Sequence, residues 1–536
     1  MTRNYTDAVR GRGEYGLDGR KQPNMLFLSF DMVPREFYLP EEGDLRPRTP
    51  NLDALRSDGL FFSNAYATSP LCSPSRAALF TGRHSYIVSN GERSHDGQRI
   101  HVRDDDTIYP EYLKASGYRA RHFGKCHIGA AKFLSAFGEN DKPWDRWSPP
   151  WYDDDGYREF LLGKGVSNFR FYREIRGRSP AGGGGNFLGG WVEGGDGRPF
   201  PKDATYPAYI TGLALSALRA RGSEKRPFYF QIDYFEPHQP FFIPSGWEER
   251  EKELRAAVKL PASWLSAEGG DPSLGARLPL VYERYRKYWG LSERKTVEDY
   301  LVAHALQFEI LDEQVGALVS SLKAEGLYEN CLVLATADHG EMNCRSALVD
   351  KGAYLNPRVL QVPIWLKLPA SRQGEAGIPG GGSAVDRAVS LLDIAPTLLA
   401  EAGIVAAARL DGVPLVGDGA PERGGPRPAI LAEVFSHVVP NPAASLFADD
   451  GGRTRLYAVN FSDAVDEYYL RDERGHWSER NGIDDGANQA DIETLRKRML
   501  ETFDSDERWV SWAAFLRLIH AESFAAGTEM QKFVKT

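Results

Sequence analysis

Four apolar runs in the 536-residue chain each lead into a residue able to do acid–base or metal chemistry. Residues 24–30 run into Asp31, 118–123 lead to Lys125 and His127, 227–234 to His238, and 331–337 to Asp338 and His339. Ligands of an open parallel sheet gather outside the carboxyl ends of its strands, so these residues are expected to share one crevice. Asp31, Asp338 and His339 suit a divalent cation of the hard, oxygen-preferring kind, Ca2+, Mg2+ or Mn2+, because a zinc site would bring more His or Cys. Taken singly, a carboxylate after a strand is equally a helix cap, and a lone histidine is equally a hydrogen-bonded structural residue. The agreement of four strand ends is what points to a site.

A second constellation is Leu71-Cys72-Ser73-Pro74-Ser75-Arg76 followed by Ala77-Ala78-Leu79-Phe80-Thr81-Gly82-Arg83. Pro74 marks a helix start, predicted over 74–80, because it fixes φ and needs no N–H donor there. Cys72 is then expected just ahead of a helix mouth, where free N–H groups and the dipole favour anions, with Arg76 and Arg83 adding charge. A buried thiol before an ordinary helix is the alternative.

The elements that must position these residues follow from periodicity. Besides the strands above, 362–368 reads as a strand, and 51–59 (with an Asn cap), 108–116 and the long amphipathic 300–322 read as helices. Strands alternating with helices argue for an α/β protein with a large, mostly parallel sheet sandwiched by helices. Residues 140–205 interrupt this rhythm as a Trp- and Gly-rich irregular insertion, expected to shape a substrate site or to be a surface loop. Its Trp144, Trp147, Trp151, Tyr152 and Phe187 could stack on a sugar or aryl ring, or pack the loop. A Gly/Pro-rich connection at 416–427 is a boundary, which divides the chain into an extension (1–23), a main domain (24–427) and a smaller C-terminal α+β subdomain (428–536). That subdomain has strands in 456–461 and 467–472 and a helix from Asp491. The helical stripe Trp509, Trp512, Leu516, Ile519 reads as core or a subunit contact.

Composition sets outer limits. With 65 Lys+Arg against 74 Asp+Glu, the net charge of -9 gives no bulk attraction to nucleic acid or an anionic membrane, so an anionic ligand needs a local cluster. Four Cys over this length form no disulfide scaffold. Residues 1–23 lack the apolar stretch of a signal peptide and no run approaches a membrane span, which predicts a cytoplasmic protein. Oligomeric state stays open, a homo-oligomer included.

The Cys-x-Pro-x-Arg run with its Ala-Ala-Leu-Phe-Thr-Gly-Arg continuation resembles the type I sulfatases of the alkaline-phosphatase-like superfamily. Further matches follow in chain order: Gly124-Lys125-Cys126-His127, Pro237-His238-Gln239-Pro240, Asp338-His339-Gly340-Glu341, Lys351, Val362-Pro363 and Leu392-Asp393-Ile394-Ala395-Pro396-Thr397. They cover about residues 24–403, with a fainter likeness over 468–481.

The resemblance implies a hydrolase that cleaves sulfate monoesters of small molecules or saccharides. Cys72 would be oxidised by a separate formylglycine-generating maturation enzyme, and the hydrated aldehyde would be the nucleophile. It further implies one divalent metal ion, calcium most often and Mn2+ or Mg2+ otherwise, held by Asp31, Asp338, His339 and the Cys72-derived oxygen. Arg76 would hold the gem-diol, Lys125 and Lys351 the sulfate oxygens and leaving-group side, His238 would protonate the departing alcohol, and His127 would be the base that releases sulfate. Relatives with the same motif cleave phosphonate monoesters or phosphate diesters, so that activity is the alternative. An unmodified Cys72 would favour a binding protein that merely keeps the fold.

Two departures stand out. Met32 follows Asp31 where many members offer a second oxygen ligand. The stretch Asn343-Cys344-Arg345-Ser346-Ala347 replaces a Leu-Gly-Asp-His-Gly-like segment, and Arg345 there is expected either to meet an acidic substrate or to be a solvated surface residue.

Overall fold

In the computed structural model the described residues are 21–85, 102–103, 105–138, 144–178, 184–269, 277–372, 374–375, 378–421, 429–450 and 453–521. In chain order the strands are β1 (Asn24–Asp31), β2 (Leu60–Tyr66), β3 (Arg119–Gly124), β4 (Phe169–Arg178), β5 (Gly184–Gly194), β6 (Phe228–Pro237), β7 (Phe241–Ile243), β8 (Cys331–Ala337), β9 (Gln361–Lys367), β10 (Ser383–Val385), β11 (Val389–Ser390), β12 (Ile430–His437), β13 (Val439–Asp449), β14 (Thr454–Asn460) and β15 (Glu467–Leu470). The helices used below are α1 (Pro50–Asp58), α2 (Cys72–Thr81), α3 (Tyr109–Ala115), α4 (Asp155–Gly163), α5 (Tyr206–Ala220), α6 (Leu280–Trp289), α7 (Arg294–Ala324), α8 (Ile394–Glu401), α9 (Gln489–Asp504) and α10 (Val510–Ile519).

The central sheet has eight strands in the order β10-β2-β9-β8-β1-β6-β3, with β11 also on β2. All neighbours are parallel except β9, which runs antiparallel to both β2 and β8. The sheet is therefore mixed and dominated by parallel strands, as expected apart from β9. Helices α1, α5 and α7 pack on one another and on β6 and β9, whereas α2, α3 and α8 form a second set. Met25 to Leu28 and Phe30 are consequently all buried. Coverage on both faces is why β1 is an unbroken apolar run rather than an alternating one.

Two local expectations are corrected. Helix α1 is capped at Thr49 with Pro50 at its first position, not at Asn51. The donors at its start are satisfied from outside, by Asp312 on α7. The Asp312 carboxylate accepts from the amides of Asn51 (3.0 Å) and Leu52 (2.8 Å) and from Asn51 Nδ2 (2.8 Å). Helix α2 begins at Cys72 itself, two residues earlier than Pro74 predicts, with Leu71 as its cap.

The insertion is not irregular. It carries helix α4 and the hairpin β4–β5, and the hairpin joins strand β7, beyond the insertion, in a three-stranded sheet on which Trp151 packs, 4.9 Å from the Phe242 ring. The C-terminal segment forms the antiparallel sheet β12-β13-β14-β15 covered by α9 and α10, and two of its strands, β12 and β13, escape the sequence reading. Trp509, Trp512 and Leu516 are buried in its core, so the stripe is core. Residues 1–20 and 422–428, which the expected domain boundaries touch, lie outside the described residues.

Because Asp312 is buried and spent on two amides of a helix start, Asp312→Ala should lower stability by about 1–3 kcal/mol. Asp312→Asn, which keeps one acceptor, should lose less. A urea midpoint unchanged in Asp312→Ala would refute this account of the α1 start.

Candidate active site

Strands β8, β1, β6 and β3 are adjacent, and their carboxyl ends carry all four predicted groups. The register sets Phe30 beside Ala337, Asp31 beside Pro237 and Gly124 beside Asp233. Asp31, Lys125, His127, His238, Asp338, His339 and Lys351 are all buried, as are Cys72 and Arg76 on α2.

Their contacts form one charge network. Asp31 Oδ2 accepts from Lys125 Nζ at 2.6 Å and from Arg76 at 3.3 Å. Arg76 Nε donates to Asp338 Oδ2 at 2.8 Å, and Arg76 also donates to the Lys125 carbonyl at 3.0 Å. Asp338 Oδ1 takes the amides of His339 (2.9 Å) and Met32 (3.2 Å). The Cys72 sulfur lies 3.2 Å from His339 Nε2 and 3.5 Å from Asp31 Oδ1. Ser75, one turn into α2, donates to the Asp338 carbonyl at 2.5 Å and ties the helix to β8.

Burial and charge set the protonation states. Burial pushes Asp31 up, but Lys125 first, with Arg76 and His339, holds its carboxyl well below the ordinary range. Burial lowers His339, yet Asp338 and Cys72 outweigh it and raise the imidazole to about 9. His127 and His238 go the other way: burial first, then Lys125 for His127 and Lys351 for His238, push both well below the usual imidazole value, so both are neutral. Lys351 is raised against its burial by Asp350, Cys72 and Asp31 and keeps its charge. The neutral His238 ring hydrogen-bonds through Nε2 to the Lys351 ammonium and through Nδ1 to the Gln239 carbonyl, so Nδ1 carries the proton and Nε2 accepts.

Sequence comparison now decides the family. The sulfatase family model matches residues 23–404, most of the chain. The chain belongs to the sulfatase family. That makes it a sulfuric ester hydrolase. It is 28% identical over 392 residues to the uncharacterized sulfatase YidJ of Escherichia coli strain K12 (72% of this chain, 68% of that protein). It is 25% identical over 387 residues to an arylsulfatase of Clostridium perfringens (70% of this chain, 74% of that protein). Among solved structures it resembles the phosphonate monoester hydrolase SpPMH from Silicibacter pomeroyi, with a TM-score of 0.67, 19% identity, and 90% and 95% of the two chains covered. At that identity the likeness is one of fold.

The sulfatase site gathers nearly every residue the sequence singles out. Arg83 is one exception: it lies past the far end of α2 and pairs with Asp106 at 2.5 Å, adding nothing at the Cys72 end. Arg345 is another: it pairs with Asp44 and Glu479 and is not a solvated surface residue. Sequence reading missed Asp233 and Asp350. Asp233 sits 3.5 Å from Arg76 and 2.8 Å from His122, and Asp350 lies 3.1 Å from Lys351. An acid inside the apolar run FYFQIDYF was the available signal for Asp233.

The donor set fits a hard divalent cation. Ligand atoms of Asp31, Cys72, Asp338 and His339 all lie within 4.8 Å of one another. Two carboxylates, one of them firmly ionised, supply the charge; His339 would have to give up its proton to ligate.

Beside this network stands Glu236, fully buried, with neither carboxylate oxygen hydrogen-bonded among the described residues. Burial, helped by Asp31, raises it to about 8. The unfolded chain ionises near 4.5 while the folded chain keeps the proton, so folding weakens as pH rises from there towards about 8. Glu236→Gln removes that loss. Between about pH 5 and pH 8 its urea midpoint should fall less than that of the parent, a difference of a few kcal/mol at the alkaline end. Parallel pH profiles for the two proteins would rule this out.

Proposed function

We propose that this sulfatase cleaves sulfate monoesters to an alcohol and inorganic sulfate at a formylglycine made from Cys72, with one divalent cation, calcium first, on Asp31, Asp338, His339 and residue 72. The observation that supports the reading best is the position of the Cys72 sulfur. It is buried at the first position of α2, within 3.5 Å of both Asp31 and His339. When present, the aldehyde hydrate supplies an oxygen nucleophile and the cation neutralises charge on the transferring group.

The chain's own side chains supply the remainder. Arg76 is committed to Asp338, Asp31 and the Lys125 carbonyl, so we assign it to orienting the two carboxylates rather than to holding the gem-diol, the role the resemblance implies. Lys125 and Lys351 are the cations we assign to the sulfuryl oxygens, where negative charge spreads in the transition state. The leaving alkoxide needs a proton. With His238 neutral and its Nε2 accepting from Lys351, the pair provides it: Lys351 passes its proton to His238 Nε2, which hands it to the alkoxide, and Lys351 is left as the neutral amine. His127, likewise neutral, is the base we assign to sulfate release. Sulfated saccharides and small aryl sulfates are the substrate classes. Human iduronate 2-sulfatase, named for a sulfated sugar, matches 56% of this chain at 27% identity.

Five measurements test the reading. A peptide spanning residues 72–76 should show the mass of an aldehyde in matured protein, and Cys72→Ala should lose about 10^4-fold or more in turnover. An unaffected Cys72→Ala enzyme would end the proposal. His238→Ala should cost about 10^2–10^4-fold, and more for an alkyl than for an aryl sulfate, because the poorer leaving group depends more on the proton. Assays beside a phenyl phosphonate ester separate the alternatives: much faster phosphonate turnover would replace the sulfate assignment. Prolonged chelation should lower both activity and the thermal midpoint, with recovery on adding Ca2+. A midpoint indifferent to chelation would count against a resident ion.

A further inference from the structure

Away from the catalytic network, a cavity of about 210 Å³ opens where the C-terminal sheet meets the segment after β1. Its lining includes Arg35, Tyr38, Arg46, Arg56, Arg474 and His476, and none of these belongs to the site described above. Arg35, Arg46 and Arg56 come from the main sheet's side, Arg474 and His476 from the turn that follows β15. So many cations around one concavity are unusual in a chain whose net charge is -9.

The nearby carboxylates neutralise only part of this charge, and Asp472 lies 3.8 Å from His476 Nδ1. Glu41 pairs with Arg35 at 2.9 Å and lies 3.6 Å from Arg358. Asp472 accepts the amides of Arg474 and His476, at 2.9 and 2.7 Å, and so holds its own turn together. Arg46 comes no nearer to a carboxylate than 3.8 Å, at Asp53. Among the described residues neither Arg56 nor Arg474 has an ion pair. Arg56 instead lies over the Phe61 ring, 4.2 Å from its centroid, which holds its guanidinium in place.

The frame around the cavity is fixed. Arg35 donates to the Gly475 carbonyl at 2.6 Å and to Gln361 Oε1 at 3.1 Å, and Trp477 Nε1 donates to that same oxygen at 3.0 Å. The turn carrying Arg474 is thus latched to the buried Arg35. Burial and the neighbouring Arg358 both disfavour the charge on Arg35, while Glu41 and Glu36 favour it. Guanidinium forks match tetrahedral oxyanions, and a concave basic surface concentrates them. The cavity falls short of the roughly 300 Å³ at which drug-sized ligand sites begin, so it suits one small anionic group.

We propose that this seam is a second oxyanion site, which takes a sulfate- or phosphate-type group between Arg46 and Arg56 on one side and Arg474 and His476 on the other. The group has two sources, free inorganic oxyanion or a sulfate ester borne by a saccharide. The inference stands on the charge arrangement alone and survives if the assigned reaction is wrong.

Crystals of the full chain soaked in sodium selenate locate the anion by its anomalous signal, and calorimetry with sodium sulfate and with a disulfated disaccharide identifies the source. Selenate density within the seam is expected. Its absence at a concentration that fills the catalytic pocket would overturn the proposal. The double variant Arg56→Gln/Arg474→Gln should weaken seam binding by about tenfold or more, with aryl sulfate turnover unchanged. Loss with sulfate marks free anion as the ligand, and loss with the disaccharide alone marks an ester group. Binding of both probes that survives the double substitution would refute the site.

Discussion

The dominant constraint on this molecule is the burial of charge at the carboxyl ends of its central strands. Asp31 and Asp338 are wholly shielded from solvent, and Arg76, Lys125 and Lys351 nearly so. Moving such groups out of water costs several kcal/mol each, which mutual attraction offsets only where geometry is tight and remaining polar atoms are bonded. Parallel strands bring that geometry, because their carboxyl ends deliver Asp31, Lys125 and Asp338 at fixed spacing. Helix α2 then inserts Arg76 between the carboxylates and its own first residue, Cys72, against His339. Charge pairing and catalysis therefore make the same demand on the backbone, and no single member of the network is free to change.

A second consequence is that the C-terminal sheet is part of the site's support. Lys351 lies in the irregular stretch between β8 and β9, which no strand holds. Asn441 on β13 donates to the Ala353 carbonyl at 2.7 Å, and Tyr285 on α6 receives the Ala353 amide at 3.0 Å. Asn356 reaches Tyr282 and Tyr469, both of which donate to Glu467 at 2.7 Å. Stacking of Tyr66 on Phe447, 3.9 Å between centroids, closes the same interface. The lysine that faces His238 is thus positioned by a subdomain that contributes no reacting group.

Legibility followed physical range. Residues immediately past apolar runs, such as Asp31 and Asp338, are fixed by local backbone, and the sequence reveals them. The start of α2 was misjudged because Pro74 is compatible with any position in a first turn, and Leu71 offers no side-chain cap to mark the boundary. Asp312 capping α1 across 260 residues is a tertiary event that no window of sequence contains. Strands β12 and β13 lacked a clear apolar alternation, since β13 includes two prolines. The insertion looked irregular because its glycines read as loop. Two of them, Gly189 and Gly190, adopt positive φ where β5 passes against Phe241 and Arg173, a close approach that a side chain would block.

Selectivity for the alcohol half of the ester is constrained by what the aromatic residues already do. Trp151 is buried in the insertion's own core, and Tyr152 stacks on Phe169 at 5.1 Å. Trp144 differs: its backbone forms a bridge with Lys125, donating to the Gly124 carbonyl and accepting from the Cys126 amide, both at 2.9 Å. That ties Trp144 to the segment that carries Lys125. Met32 works from the opposite side. Its positive φ turns the chain directly after Asp31, its amide binds Asp338, and its sulfur lies 3.9 Å from Lys351 Nζ. A thioether at this position puts a soft, apolar surface beside the Lys351–His238 pair. Lower polarity there strengthens the attraction between the Lys351 ammonium and the carboxylates of Asp350 and Asp31, so the side chain after Asp31 helps to keep that lysine charged in spite of its burial.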